Sequence, residues 1–277
     1  MADARSPIDI FGSGEGARSR RAGGEARCGL RPRLCSDALS ARVSLVLSNA
    51  ARNSTFYKVR NLVLQKDRLM SETEVLPPAA LPGAGKTVGV LALQGGVAEH
   101  ARMLESLGAQ VVLVKSAEQL ANLDALVLPG GESSTIDRLT RIFGLRQPLI
   151  EAISGGLPTL GTCAGLIMLS TVIDDPAPGQ QSLGVLDVSV GRNAFGSQVD
   201  SAQVHLPWLT PSGEEVVIDT AFIRAPIVTR TGEGVQVVAH HEGKIVGVRA
   251  GNIIGISFHP EVTGDTTVHE ELLSLIR

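Results

Sequence analysis

The 277-residue chain is poor in aromatic residues and cysteine, and it has no long hydrophobic run. Aromatic side chains make up 3% of the residues, which argues against a surface that stacks on nucleic-acid bases. Three cysteines argue against a disulfide-stapled secreted fold, and no CxxC or HxxxH spacing supports a zinc site. No window reaches the roughly 18 apolar residues of a membrane helix, and the N-terminus lacks the apolar core of a secretory signal. A protein of a reducing compartment, the cytoplasm, is therefore expected.

Positive charge is concentrated at the N-terminus. Residues 1–69 contain 13 Lys and Arg against 6 Asp and Glu, whereas the whole chain has a net charge of −3. This segment is rich in Arg, Gly, Ser and Ala and has little apolar periodicity, so residues 1–86 are predicted to be a disordered extension. Three interpretations stay open: an RNA- or membrane-binding arm, an organelle transit peptide, or a mis-assigned start codon with translation beginning at Met70. The last of these is preferred.

Short apolar runs alternate with helical patterns from residue 87 onward. Residues 87–93 (TVGVLAL) are typical of a strand buried on both faces. Strands are predicted at 87–93, 110–114, 125–128 and 158–161, and helices at 100–107, 133–142, 147–153 and 164–169. The alternation predicts an α/β fold with a parallel sheet and helices on both of its faces.

Strand patterns dominate after residue 183. They are predicted at 185–190, 216–218, 235–239, 244–249 and 253–257, before a closing helix at 268–276. We expect these strands to extend the same sheet in antiparallel or mixed fashion, so that residues 87–277 form one domain.

Cys163 lies in the sequence GTCAG at residues 161–165, between a predicted strand and a predicted helix. Small residues on either side allow the sharp turn of a nucleophile elbow, which exposes one side chain above the sheet. The N-terminus of a helix also favours the thiolate form of cysteine. A buried, inert cysteine is the alternative.

A cysteine nucleophile needs a base, and His259 is the strongest of six candidates. It stands in the sequence FHPE after a predicted strand, and residues two apart in extended chain point to the same side. Glu261 is therefore expected beside His259, where a carboxylate would fix the imidazole tautomer and support its charged form. The other histidines are less persuasive: His240 and His241 are expected in solvent, and polar helix or strand faces are expected for the rest, His100, His205 and His269.

Residues 129–134 (PGGESS) form a third candidate element. They join a predicted strand to a predicted helix, so they are expected at the same carboxyl edge of the sheet as Cys163. Free backbone N–H groups there could hold an oxyanion or a substrate carboxylate.

Together, these elements resemble the triad-type (class I) glutamine amidotransferases, and this resemblance implies a flavodoxin-like fold in three layers around a mostly parallel, mixed sheet. Within that class, the chain is similar to the glutaminase subunits of pyridoxal 5′-phosphate synthase, the PdxT/SNO family. The resemblance covers roughly residues 87–277, and five ordered blocks carry it: VLALQG with EH at 90–100, LPGGES at 128–133, GRNAFG at 191–196, FIRAP at 222–226 and SFHPE at 257–261.

The resemblance implies a role for each matching position. Cys163 is the nucleophile, with His259 and Glu261 completing the triad. The implied glutamine-binding residues are Gly131, Glu132, Ser133, Arg192, Ile223 and Arg224. By analogy with other elbows, the backbone amides of Gly131 and Ala164 are expected to form the oxyanion hole.

The resemblance also implies the reaction and the partner. The reaction is hydrolysis of L-glutamine to L-glutamate and ammonia, with no metal or cofactor. The ammonia passes to a (β/α)8-barrel synthase subunit in a hetero-oligomer, for vitamin B6 biosynthesis, with no nucleic acid or membrane as partner. Three alternatives stay open: a glutaminase that feeds imidazole glycerol phosphate or purine synthesis, a non-catalytic cysteine sensor, and a cysteine peptidase.

Overall fold

A computed structural model describes residues 80–192 and 203–277 of the chain. No helix within these two ranges is long and apolar enough to cross a membrane. The prediction of a disordered extension falls outside the described residues except at 80–86. There the chain is fastened to the domain, because Gly83 N–H donates to the Leu107 carbonyl (2.8 Å) and Lys86 Nζ donates to the Leu273 carbonyl (2.7 Å). The ordered domain therefore includes residues that the sequence assigned to the extension.

The described residues form twelve β-strands, six α-helices and one 3₁₀ turn. The strands are β1 (Thr87–Leu91), β2 (Gln110–Val114), β3 (Ala125–Leu128), β4 (Thr159–Thr162), β5 (Ser170–Ile173), β6 (Leu186–Gly191), β7 (Gln203–Leu209), β8 (Glu215–Ala221), β9 (Ile227–Thr231), β10 (Gln236–His241), β11 (Lys244–Ala250) and β12 (Ile253–Ile256). The α-helices are α1 (Val97–Ser106), α2 (Ser133–Ile142), α3 (Arg146–Ser154), α4 (Ala164–Leu169), α5 (Pro260–Thr263) and α6 (Thr267–Ser274), and a 3₁₀ turn spans Ala117–Leu120.

In the described ranges, one mixed sheet holds ten strands in the order β2-β1-β3-β4-β12-β11-β9-β6-β5, with β10 paired to β11. The first five strands in this order (β2, β1, β3, β4 and β12) are parallel to one another. Beyond them, β11 runs antiparallel to β12, β9 and β10, and β6 runs antiparallel to β9. The predicted parallel sheet with a mixed extension is thus confirmed.

Strands β7 and β8 depart from that prediction, because they pair with each other in a separate two-stranded sheet. The sequence predicted only residues 216–218 of this hairpin and expected them in the main sheet. Strand β7 was missed because it contains Pro207, and a proline within an apolar run argues against a strand. Leu206 and Trp208 point from it into the core.

Both faces of the inner parallel strands β1, β3 and β4 are buried. In β3, Ala125 and Val127 face one core and Leu126 and Leu128 face the other. The first core receives side chains from α1, α6 and the β7–β8 hairpin, and the second receives them from α2, α3 and α4. Burial on both sides explains the continuous apolar runs that predicted these strands, and it confirms the three-layer arrangement.

A buried ion pair fastens the hairpin and α6 to the sheet. Arg249 Nε on β11 donates to Glu271 Oε1 on α6 (2.6 Å), and Trp208 Nε1 on β7 donates to the other Glu271 oxygen (2.9 Å). Arg249 also donates to the Leu209 carbonyl (2.9 Å). Both carboxylate oxygens of Glu271 are therefore satisfied within the core, as a buried charge requires.

We predict that Arg249→Met destabilises the protein by about 3–5 kcal/mol, because it leaves the Glu271 carboxylate buried without its charge partner. Urea unfolding measures this loss. The matched control is Arg230→Met, since Arg230 pairs with Asp187 where both side chains are about half exposed. The control should cost less than about 1 kcal/mol. Equal losses in the two variants would contradict the role given to the buried pair.

Candidate active site

Cys163 lies in a sharp bend between β4 and α4, at the carboxyl end of the parallel strands. Its backbone has φ 49° and ψ −99°, which non-glycine residues rarely adopt. Both flanking glycines are required by close packing. A Cβ at Gly161 would lie 2.5 Å from Leu169 Cδ1, and one at Gly165 would lie 2.0 Å from the Leu128 carbonyl oxygen. The strand-to-helix bend predicted from the sequence is present at Cys163.

His259 follows β12 and is the N-cap residue of the short helix α5. Its backbone N–H donates to the Ala221 carbonyl (2.9 Å) at the end of β8. The ring packs on the backbone of Gly130, where an added Cβ would lie 2.3 Å from His259 Cε1. Gly130 therefore leaves the space that the imidazole occupies.

Glu261 is the partner of His259, and the two side chains meet with 2.6 Å between Nδ1 and Oε1. The sequence predicted this pairing from an extended chain, and that conformation is wrong. Glu261 lies in the first turn of α5, after Pro260, so the start of a helix brings the two groups together. Because Nδ1 bonds Glu261, Nε2 is the ring nitrogen left for the interaction with Cys163 that raises the pKa of His259.

The charges at the site favour a protonated imidazole. Burial alone would lower the pKa of His259, but hydrogen bonds to Cys163 and Glu261 and the negative charge of both partners raise it to about 10. His259 is therefore an imidazolium at neutral pH.

A cavity of about 320 Å³ opens beside Cys163. The predicted site residues on its wall are Gly131, Glu132, Ser133, Cys163, Arg192, Ile223, Arg224, His259 and Glu261. Ala164 is the first residue of α4 and is buried. Among the described residues, no side chain makes a capping hydrogen bond to the first N–H groups of α4.

The loop after β3 is held by residues that follow β1. The Glu132 N–H donates to Gln94 Oε1 (2.7 Å), and the Gly96 N–H donates to the Gly130 carbonyl (3.0 Å). Gln94 also lines the cavity, although the sequence analysis gave it no role. Its place directly after a buried parallel strand is the signal that could have identified it.

Gln180 connects two walls of the cavity. Its Nε2 donates to Ser133 Oγ (2.9 Å), and its Oε1 accepts from Arg192 Nη1 (2.9 Å). A second Arg192 nitrogen lies 3.6 Å from Glu132 Oε1. Gln180 stands in an irregular loop, so no periodic pattern in the sequence could have pointed to it. Of the GRNAFG block, residues 193–196 lie outside the described residues.

The expected positions of the other histidines are partly wrong. His100 and His269, expected on polar faces, are both 0% exposed, and they contact each other with 2.9 Å between His100 Nδ1 and His269 Nε2. His205 and His240 are exposed as expected. His241 is half-buried and stacks on Phe222, with 4.7 Å between the ring centroids.

Two solved structures share this architecture. A crystal structure of a glutamine amidotransferase has a TM-score of 0.63 and 43% identity, covering 68% of this chain and 98% of that chain. PurLQS from Thermotoga maritima, at 19% identity, has a TM-score of 0.52 and covers 69% of this chain and 96% of that chain, which shows a common fold. The fold is therefore that of the class I glutamine amidotransferases.

The family can be named more narrowly. The model of the SNO glutamine amidotransferase family matches residues 90–275. The pyridoxal 5′-phosphate synthase subunit PdxT of Kineococcus radiotolerans is 51% identical over 198 residues, covering 69% of this chain and 95% of that protein. PdxT of Cutibacterium acnes is 50% identical over 193 residues, covering 67% and 94%. The chain belongs to the SNO glutamine amidotransferase family.

We predict that His259 keeps its proton up to about pH 10 and that Cys163→Ala lowers its pKa, because the variant removes a hydrogen bond and a negative charge. Titration of ¹⁵N-labelled histidine by NMR measures both values. Since the folded pKa exceeds the ordinary value of 6.5, protonation of His259 stabilises the fold fully below pH 6.5 and ceases to do so as the pH rises through about 10. The same pKa in both proteins would refute the coupling.

Proposed function

We propose that the chain hydrolyses L-glutamine to L-glutamate and ammonia, with Cys163, His259 and Glu261 as its catalytic triad. One observation carries the proposal: Cys163, His259 and Glu261 line the same cavity, with 2.6 Å between His259 Nδ1 and Glu261 Oε1, and interaction with Cys163 raises the pKa of His259. Membership of a glutamine amidotransferase family supports the same reaction.

The reaction begins when the Cys163 thiolate attacks the side-chain amide carbon of glutamine. The tetrahedral intermediate collapses as the His259 imidazolium gives its proton to the leaving nitrogen, which departs as ammonia and leaves a thioester. Neutral His259 then takes a proton from water, and the resulting hydroxide attacks the thioester. Glutamate leaves, and the thiolate–imidazolium pair is restored. Glu261 keeps the ring oriented and supports its positive charge throughout.

The oxyanion of each tetrahedral intermediate is assigned to the backbone N–H groups of Gly131 and Ala164. Ala164 begins α4, whose N-terminus has no capping side chain, and the positive end of a helix dipole favours an anion there. Gly131 faces the cavity from the opposite loop. One such donor contributes roughly 3–4 kcal/mol to transition-state stabilisation in related chemistry.

The α-amino and α-carboxylate groups of glutamine are assigned to charged and polar residues that line the same cavity. Arg192 and Arg224 supply forked donors for a carboxylate. Arg192 is oriented by its bond to Gln180. Gly131, Glu132 and Ser133 complete the pocket from the loop after β3, and Ile223 supplies an apolar surface beside Arg224.

We further propose that the ammonia is delivered to a separate synthase subunit that builds pyridoxal 5′-phosphate. The relatives from K. radiotolerans and C. acnes carry the name of one subunit of that synthase, and each is matched over at least 94% of its length. The family resemblance supports a (β/α)8-barrel partner in a hetero-oligomer. A cytoplasmic location is part of this proposal, because a chain with only three cysteines does not have the composition of a disulfide-stapled secreted fold.

Cys163→Ala should reduce glutamine hydrolysis to the uncatalysed background, because no other group on the cavity wall supplies a thiolate in the described part of the chain. Ammonia release from glutamine, measured with the synthase subunit present, checks this. The variant should still bind the synthase in co-purification, which is the control for folding. Full activity in the variant would overturn the assignment of the nucleophile.

Adding the pyridoxal 5′-phosphate synthase subunit should raise the rate of glutamine turnover strongly, since release of ammonia without an acceptor would waste glutamine. The matched comparison adds an imidazole glycerol phosphate or purine synthase instead, under the same assay. Stimulation by one of these synthases and not by the pyridoxal 5′-phosphate synthase would contradict the proposed partner and assign the glutaminase to another pathway.

A further inference from the structure

Two buried histidines lie directly behind the triad. His100 on α1 and His269 on α6 are both fully buried. His100 Nε2 is 3.1 Å from Thr162 Oγ1 and 3.4 Å from Glu261 Oε1, while its Nδ1 is 2.9 Å from His269 Nε2. The four elements α1, β4, α5 and α6 thus meet at the carboxylate that orients His259.

The hydrogen-bond partners of these rings determine their tautomers. If His269 Nε2 carries the proton, it donates to His100 Nδ1. His269 Nδ1 is then unprotonated, and it is the ring nitrogen that has no hydrogen-bond partner among the described residues. In the opposite arrangement His100 Nδ1–H donates, and His269 Nδ1 becomes a buried N–H group with no acceptor among the described residues. An orphaned buried N–H costs about 1–3 kcal/mol, so the first arrangement is favoured.

The carboxylate of Glu261 favours the same arrangement. With Nδ1 accepting from His269, the proton of His100 is on Nε2, directed at Thr162 Oγ1 and Glu261 Oε1. In the other tautomer a nitrogen lone pair would lie 3.4 Å from the negatively charged oxygen. That lone pair would repel the oxygen, whereas the N–H dipole attracts it.

Both rings are neutral. Burial, reinforced by repulsion from any positive charge on His269 and by the positive charge of His259, holds the pKa of His100 well below its ordinary value. Burial lowers the pKa of His269 to about 4, although Asp265 opposes the change. A neutral His100 can therefore direct one N–H at the Glu261 carboxylate without adding a second imidazolium beside His259.

We propose that His100 is a positioning residue of the triad. Its Nε2–H bonds Thr162 Oγ1 and places its dipole 3.4 Å from Glu261 Oε1, which favours the carboxylate in its position against His259, and His269 fixes the tautomer that makes this possible. The residue touches neither substrate nor thiol, and it acts through Glu261. The kinetic part of this inference rests on the proposed triad, whereas the tautomer part does not.

The first test reads the tautomers in the wild-type chain. Long-range ¹H–¹⁵N correlation spectra of protein with ¹⁵N-labelled histidine distinguish Nδ1–H, Nε2–H and charged rings, and spectra of His100→Gln and His269→Gln assign the signals. We expect both rings to be neutral with the proton on Nε2 at pH 7. A proton on Nδ1 of His100, or a charged His100, would overturn the proposal whether or not the protein hydrolyses glutamine.

The second test compares His100→Gln with His100→Leu in the complex with the synthase subunit. The glutamine amide can place an N–H near the position of Nε2, and leucine cannot. We expect His100→Leu to lose roughly 10-fold in kcat, because it removes the N–H dipole 3.4 Å from Glu261 Oε1, with KM for glutamine little changed. His100→Gln should recover most of the loss. His240→Leu, at an exposed position on β10, is the matched control and should retain full activity.

The outcomes separate the two proposals. A fully active His100→Leu, or a His100→Gln as impaired as the leucine variant, defeats the positioning role while Cys163→Ala remains inactive. Activity in Cys163→Ala defeats the catalytic proposal and leaves the tautomer measurement standing. If leucine prevents folding, as thermal unfolding would reveal, the spectra and the kcat of His100→Gln still decide, since an impaired kcat in a folded glutamine variant contradicts the proposal.

Discussion

The contact between Gly165 and the Leu128 carbonyl is the constraint on which the site depends. No side chain fits there, since a Cβ at Gly165 would lie 2.0 Å from that oxygen. The contact lets α4 start directly against β3, which in turn forces the bend at Cys163 and its unusual backbone angles. The strain of that bend is tolerated because β4 is hydrogen-bonded between β3 and β12. A rigid parallel sheet thus holds one sulfur atom in the place where chemistry needs it.

The triad is assembled from separate strand ends. Cys163 follows β4, and His259 and Glu261 follow β12, while Gly130 after β3 leaves room for the imidazole. These three strands are adjacent and parallel in the sheet. Short connections after neighbouring strands can therefore align the groups without any long flexible loop, which is the general advantage of the carboxyl edge in α/β proteins.

Sequence reasoning succeeded where burial left a strong pattern. The strands from β1 to β4 were predicted because both of their faces are apolar, whereas β9 (IVTRT) was missed because two polar residues of it are exposed. The bend at Cys163 followed from its glycines, and the pairing of His259 with Glu261 was predicted through the wrong conformation. The burial of His100 could not be foreseen, because Glu99 and Arg102 beside it are charged and hydropathy does not reveal which histidine has a buried partner.

The side-chain nitrogen of Gln180 donates a hydrogen bond to Ser133, and its side-chain oxygen accepts one from Arg192. One planar group therefore sets the spacing between two regions that are more than forty residues apart in sequence. Its two ends are chemically different, a donor and an acceptor, so neither wall can shift alone without breaking a bond at the other. A single side chain therefore fixes the distance between two walls of the substrate pocket. A shorter residue at position 180 could not reach both walls and would uncouple them.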